Sequence, residues 1–106
     1  MNESNDYYVR VSDAALAMLD RHIDFLAKVN IQAAINLMDE ILGDIESLSQ
    51  FPERFPFLEC EFIPEGCYRK MLSARRYLIL FEIVGNDVCV DYIVDCRQDY
   101  EWLLTK

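Results

Sequence analysis

The spacing of apolar residues changes partway along this chain of 106 residues, and the change restricts the folds open to it. Up to residue 48, apolar residues recur every three or four positions, which is the period of an amphipathic helix. From residue 67 onward they tend to alternate with polar residues, as in β-strands. Helices that are followed by a run of strands are typical of an α+β fold.

Two helices are expected in the first half, because Ser12 and Asn30 stand where N-caps belong. With a joint near Asn30, they should form an antiparallel hairpin. Leu42→Asp is expected to unfold the protein, because the pattern places Leu42 in the helix–sheet core. The apolar stripes expected to be buried are Leu16, Leu19, Ile23 and Leu26 in the first helix, and Ile31, Ala34, Ile35, Met38, Ile41, Leu42, Ile45 and Leu48 in the second.

Four strands are expected around these helices, and Gly85-Asn86 is a good signal for a two-residue hairpin turn. The predicted architecture is β-α-α-β-β-β with a short C-terminal helix, in which the helix hairpin covers one face of a mostly antiparallel four-stranded sheet. Residues 1–106 are expected to form a single domain. The strands are expected at residues 7–11, 67–72, 77–84 and 88–94, and the last helix at residues 98–104.

The charge is strongly acidic overall but unevenly distributed. The net charge is −9, and residues 1–66 carry 13 acids and 4 bases, whereas residues 67–106 carry 6 of each. Such a body should be repelled by nucleic acid, so direct binding of free nucleic acid is not expected. Within the second part, Arg69, Lys70, Arg75 and Arg76 form a local basic stretch. That stretch is either a binding patch or an ordinary solvated hairpin end.

Most familiar catalytic and metal-binding patterns are absent from the sequence. The glycines are isolated, so no phosphate loop is expected, and His22 has no partner at ligand spacing. The four cysteines, Cys60, Cys67, Cys89 and Cys96, form no C-x-x-C pair and are expected to be free thiols. Neither a cofactor nor a metal is predicted. No stretch is long enough to span a membrane and no secretory signal is present, so the expected location is the cytoplasm.

Cations and tyrosines in the strand region are the candidate binding residues. Such side chains on adjacent strands can hold a phosphate backbone or an acidic peptide. Cations can also stabilise the charge that develops when a ribose 2′-hydroxyl attacks RNA, without a metal. The candidates for target binding are Tyr68, Arg69, Lys70, Arg75, Arg76 and Arg97, with Tyr77 and Tyr100 nearby in sequence.

Three stretches resemble motifs of one protein family. Residues 66–72 (G-C-Y-R-K-M-L) look like its G-x-Y-R-x-x motif, and residues 76–83 (R-Y-L-I-L-F-E-I) look like its Y-L-I-x-Y-x-I strand. Residues 90–104 (V-D-Y-I-V-D-C-R-Q-D-Y-E-W-L-L) are similar to its last strand and tail. In this order, and with the β-α-α-β-β-β pattern, they resemble the RelE/ParE family of bacterial toxins over most of residues 7–104.

The resemblance implies the toxin of a type II toxin–antitoxin pair, with a cognate antitoxin that covers its working surface. RelE-like members cleave messenger RNA on the ribosome, whereas ParE-like members poison DNA gyrase. Ribonuclease members typically carry Lys and Arg where this chain has Met71 and Leu78, and a His-Gly pair where it has Asp95 and Cys96. The departures favour the ParE-like branch. A ribosome-dependent endoribonuclease and a non-toxic interaction protein on the same scaffold remain the alternatives.

If the chain is a ribonuclease, the resemblance assigns metal-independent catalysis to Arg69, Arg97 and Tyr100. We predict that Arg97→Ala weakens whichever activity the chain has, because Arg97 is the late base that the family motif expects. Growth inhibition after induction of the variant measures this effect. A fully active variant would show that the assignment of Arg97 is wrong.

Overall fold

The structure, a computed structural model, describes residues 6–59 and 66–96. The described part confirms the expected order of one strand, two helices and three strands. The expected helix at residues 98–104 lies outside the described residues. The elements are β1 Tyr8–Val11, α1 Asp13–Val29, α2 Ile31–Glu46, β2 Arg69–Ser73, β3 Tyr77–Val84 and β4 Asp87–Asp95, with single 3₁₀ turns at Ser47–Ser49 and Pro52–Arg54.

Both helices begin at the residues that the sequence indicates. The Ser12 hydroxyl accepts a hydrogen bond from the backbone N–H of Ala15 at 3.0 Å, which satisfies a donor of the first turn of α1. Asn30 ends α1 by donating its backbone N–H to Leu26, and its side chain then accepts from the N–H of Ala33 to begin α2. One residue therefore serves as both caps and makes the sharp joint of the hairpin. Neither described helix is long and apolar enough to cross a membrane.

The sheet has the order β1-β4-β3-β2. β1 pairs with β4 in parallel, and the other two pairings are antiparallel, so the expected mostly antiparallel sheet is confirmed. β2 begins at Arg69, two residues later than the pattern predicted. A β-bulge interrupts the β3–β4 pairing, because Leu80 pairs with Tyr92 and Phe81 with Val90. Asp91 is the extra residue of this bulge, an arrangement that can redirect a side chain.

The core lies between the helix hairpin and one face of the sheet. Leu19 of α1 and Ile41 of α2 pack with Ile79 and Phe81 of β3, and each of these side chains is almost completely buried. The hydroxyl of Ser73 donates to Asp44 at 2.6 Å and ties β2 to α2. Burial of four such side chains contributes about 1.5–3 kcal/mol each, so this interface supplies much of the stability.

The expectation that both helical stripes are fully buried is wrong. Leu16 is 42% exposed, Leu42 is 44% exposed, and Ile31 and Ile35 are 69% and 49% exposed. The physical reason is the width of the apolar face of α2. Ile41 and Ile45 belong to the core between the helices and the sheet, whereas Ile31, Ile35 and Leu42 form a second stripe that is turned by roughly 80° around the helix. The sheet covers the first stripe and leaves the second accessible.

The two β-hairpins use different turn residues. In the β3–β4 turn, Gly85 supplies the positive φ of 61°. In the β2–β3 turn, Ala74 and Arg75 adopt φ values of 52° and 70° although both carry a Cβ. A left-handed conformation costs a non-glycine residue roughly 1–2 kcal/mol. The β2–β3 turn is therefore formed by residues that are not the most stable choice for its backbone.

Candidate functional site

Two tyrosines and two carboxyl groups lie together on the sheet face opposite the helices, which we call the second face. The hydroxyl of Tyr68 donates to Asp91 Oδ2 at 2.7 Å, and its ring packs edge-on against Tyr92 at 5.9 Å. Burial is the main cause that raises the pKa of the neighbouring Glu82 carboxyl, and the negative charge of Asp91 raises it further. Burial also raises the pKa of the Tyr68 hydroxyl. This acidic, hydrogen-bonded cluster is poorly suited to hold a phosphate backbone.

Arg69 lies on the helix side of the sheet and is committed to the fold. Its Nη1 donates to the carbonyl of Phe55 at 2.6 Å and to that of Glu53 at 3.2 Å. The guanidinium also lies 4.0 Å from the centroid of the Phe57 ring, a cation–π contact. The backbone N–H of Lys70 donates to Pro56 at 3.0 Å beside it. Arg69 therefore holds the segment that follows α2 against the edge of β2.

Arg76 forms a bidentate pair with a buried carboxylate. Its Nη2 lies 2.5 Å from Asp95 Oδ2, and its Nε lies 3.3 Å from Oδ1. Asp95 is completely buried, whereas 34% of the Arg76 side chain is exposed. The hydrogen bond to Asp95 raises the pKa of the guanidinium. A buried carboxylate needs such a partner, so the first role of Arg76 is to neutralise Asp95.

The structure does not bring the predicted basic residues together on one surface. Tyr68 and Lys70 share the second face, since alternate residues of a strand face the same side. Arg75 and Arg76 lie at the β2–β3 turn, and Arg69 faces the helix side. Lys70 is half-buried and Arg75 is exposed, and neither side chain has a hydrogen-bond or ion-pair partner in the described ranges. The remaining predicted residues, Arg97 and Tyr100, lie outside the described residues and stay predictions.

Met71 and Leu78, which stand where ribonuclease members typically carry Lys and Arg, lie on opposite faces of the sheet. Met71 is 4% exposed and belongs to the core between the sheet and the helices. Leu78 is half-buried and shares the second face with Lys70. Both positions are occupied by apolar side chains, so neither can supply a cation for phosphate.

Histidine and cysteine side chains contribute no evident reactive group in the described part of the chain. His22 is 7% exposed and packs edge-on against the Tyr77 ring at 5.5 Å, so it is a packed residue. Cys67, Cys89 and Cys96 are free thiols, and burial raises the pKa of Cys89 and Cys96. A raised pKa keeps these two thiols protonated and unreactive at neutral pH. Cys60 lies outside the described residues.

An apolar groove on the outer side of the helix hairpin was missed by the sequence reasoning. Its volume is about 220 Å³, and it lies where α1 and α2 meet away from the sheet. The sequence signal was present as the excess width of the apolar face of α2, which was assigned entirely to the core. We call this site the hairpin groove; it is lined by Ile23, Ala27, Ile31, Ala34, Ile35, Met38 and Asp39.

Arg76→Ala is expected to destabilise the protein, because it leaves the buried Asp95 carboxylate without its guanidinium partner. We expect a loss of about 1–3 kcal/mol in the free energy of unfolding, less than for a fully buried pair because Arg76 is partly exposed. Arg75→Ala is the matched control and should change stability by less than about 0.5 kcal/mol. Urea denaturation followed by circular dichroism measures both. Equal losses in the two variants would contradict this role of Arg76.

Comparisons with known proteins agree with this arrangement. A family model described as "ParE toxin of type II toxin-antitoxin system, parDE" matches residues 9–100. Among solved structures, the fold is similar to a chain of the "Chromosomal ParDE TA system from P. aeruginosa", with a TM-score of 0.73 and 18% identity over 87% of this chain and 98% of that chain. No match was found among curated proteins. At 18% identity the structural likeness shows only the fold, but the family model spans nearly all of the strands and helices described above. The chain therefore belongs to the ParE toxin family of type II toxin–antitoxin systems.

Proposed function

We propose that this chain inhibits growth by binding a protein target, with DNA gyrase as that target, and that a cognate antitoxin neutralises it. The observation that carries the proposal is the cluster on the second face of the sheet. Glu82, Asp91 and the two tyrosines occupy the surface on which a ribonuclease of this fold would need cations. Carboxylates there repel RNA phosphates, whereas tyrosines are enriched in protein–protein contacts.

The remaining cations support binding of a protein rather than catalysis on RNA. Arg69 and Arg76 are engaged by carbonyl oxygens and by Asp95. Cations that are already paired within the fold stabilise a developing phosphate charge less well than preorganised free ones. The net charge of −9 also disfavours approach to the phosphate-walled A site of the ribosome.

A ribosome-dependent messenger endoribonuclease is the second candidate function. Tyr68 and Lys70 share the second face of the sheet, which favours this alternative. In it, Arg69, Arg97 and Tyr100 would act on RNA, as the family motif suggests. A non-toxic interaction protein on the same scaffold is the third possibility, and growth assays separate it from both.

The hairpin groove is the surface that we assign to the antitoxin. Ile31 and Ile35 are 69% and 49% exposed there, and Val29 is 76% exposed at the end of α1. A contiguous apolar patch of this kind on a protein surface marks an interaction site. The groove lies between two helices, so an amphipathic helix of the antitoxin can place its apolar face in it.

The charge around the hairpin groove indicates the composition of that antitoxin helix. Asp39 lines the groove, Glu40 follows it in the chain, and α2 contains no base. An antitoxin segment that binds here should therefore carry Lys or Arg beside its apolar residues. The product of the gene adjacent to this one is the candidate partner to test for that pattern.

Inducing the chain alone and together with the product of the adjacent gene tests the toxin–antitoxin assignment. We expect growth arrest with the chain alone and normal growth when the two are produced together. Normal growth with the chain alone, at an expression level confirmed by immunoblot, would contradict a toxic function. Arrest that the adjacent product does not relieve would contradict neutralisation by that partner.

A further inference from the structure

A second cavity, separate from the hairpin groove, lies beneath the β2–β3 turn. Its volume is about 230 Å³. Phe25 and Leu26 of α1 and Leu37 of α2 form its apolar walls, and the Arg76–Asp95 pair borders it. We call it the turn cavity. It is smaller than a typical site for a drug-sized ligand and suits a single bulky side chain.

The polar groups that line the turn cavity are already partnered. Asp95 is neutralised by Arg76, and His22 packs against the ring of Tyr77. Among the described residues, no buried side-chain nitrogen or oxygen lacks a hydrogen-bond partner. An ionic ligand would therefore have to break existing bonds to enter, whereas an apolar group would not. The occupant that fits is an apolar side chain.

The turn carries a positively charged residue between two residues that line the cavity, Ala74 and Arg76. Ala74 lines the cavity, and the next residue, Arg75, is exposed and has no partner within residues 6–59 and 66–96. Both residues adopt positive φ, where glycine or asparagine would cost less. In the other hairpin the chain does use Gly85 at such a position. Side chains that are kept at a strained position are often used for binding.

We propose that the turn cavity is a protein-recognition site that takes a bulky apolar side chain whose adjacent carboxylate pairs with Arg75. The partner segment would present an aromatic or leucine side chain next to an acidic residue. Nucleic acid does not fit this site, because the Asp95 carboxylate borders it and the protein carries a net charge of −9. The site is distinct from the hairpin groove and does not depend on the identity of the antitoxin or of the target.

The probe for this site is 3-phenylpropionate, which combines a phenyl ring with a carboxylate. We expect it to shift the amide resonances of Ala74, Leu26 and Tyr77 of the ¹⁵N-labelled full chain in a saturable way. The neutral analogue 3-phenylpropanol should bind about threefold more weakly, since it lacks the exposed charge pair with Arg75. No shift at these residues, or equal affinity for the two compounds, would overturn the proposal.

Arg75→Gly separates a binding role of Arg75 from a structural one. The change removes the charge and also relieves the backbone strain, so the melting temperature should rise while 3-phenylpropionate binds only as well as 3-phenylpropanol. Arg75→Gln keeps a Cβ at this position and so keeps the backbone strain. It should show the same loss of affinity for 3-phenylpropionate without the gain in melting temperature. Unchanged 3-phenylpropionate affinity in both variants would show that Arg75 does not hold the carboxylate.

Discussion

Ile41→Asp should leave the chain largely unfolded at 25 °C, whereas Leu42→Asp, one residue further on, should leave it folded. Ile41 is completely buried between α2 and the sheet, and Leu42 is 44% exposed. Replacing Ile41 removes its burial energy and places an unpaired charge in the core, a combined cost of at least about 4 kcal/mol. That is comparable to the whole stability of a small domain, roughly 5–15 kcal/mol.

The two variants add the same charge to neighbouring positions of one helix, so they control for charge and helix propensity. Leu42→Asp should cost no more than about 1 kcal/mol, because the introduced carboxylate can remain hydrated. Ile41→Val is a further control and should cost about 0.5–1.5 kcal/mol, since it removes one methylene from the core. Thermal unfolding followed by circular dichroism measures all three. A folded Ile41→Asp protein, or an unfolded Leu42→Asp protein, would contradict the placement of α2.

Ile35→Asp is expected to abolish tight binding of the antitoxin without unfolding the toxin. Ile35 is 49% exposed and lines the hairpin groove, so a carboxylate there faces solvent in the free toxin. In the proposed complex the same carboxylate would be buried. Burial of an unpaired charge at an interface costs about 2–4 kcal/mol, which corresponds to a loss of affinity of about 30-fold to 1,000-fold. Calorimetric titration with the purified antitoxin measures the loss.

Asn36→Asp is the matched control for this experiment. It adds the same charge at the next residue, which is exposed and accepts a hydrogen bond from Gln32 at 3.1 Å. Asn36 does not line the hairpin groove, so affinity should change by less than about fivefold. If Ile35→Asp binds the antitoxin within about fivefold of the unchanged chain, the antitoxin binds elsewhere.

The helix boundaries and the fold class could be predicted because they depend on local signals. Ser12 and Asn30 cap their helices with their own side chains, and the Gly85-Asn86 turn sets the β3–β4 hairpin. Such signals act within four residues and are visible in any sequence. The alternation after residue 67 also predicts the strands, although β2 begins two residues later than expected.

The division of the apolar face of α2 could not be predicted in the same way. Periodicity indicates that Ile35, Ile41 and Leu42 are on the apolar side of one helix, but not how much of that side the sheet covers. Coverage depends on the position of α1 and of the β4 strand, which are set by tertiary packing. The hairpin groove is therefore a property of the folded molecule rather than of the pattern.

The assignments of the cations also depended on tertiary partners. Arg69 and Arg76 looked equivalent in sequence, yet one contacts the carbonyl oxygen of Phe55 and the other a buried carboxylate. Asp91 reaches Tyr68 at the β-bulge, where the strict alternation of the strand is interrupted. None of these three partnerships could be derived from residue types and spacing alone.

The most direct test of the proposed mechanism compares the two targets with one preparation of the purified chain. In a supercoiling assay with DNA gyrase, relaxed plasmid and ATP, we expect the chain to block supercoiling and the antitoxin to restore it. In a translation extract, the same concentration of chain should leave messenger RNA intact, as read by primer extension. Cleavage of the messenger within codons, with gyrase activity unchanged, would contradict the account and support the ribonuclease alternative.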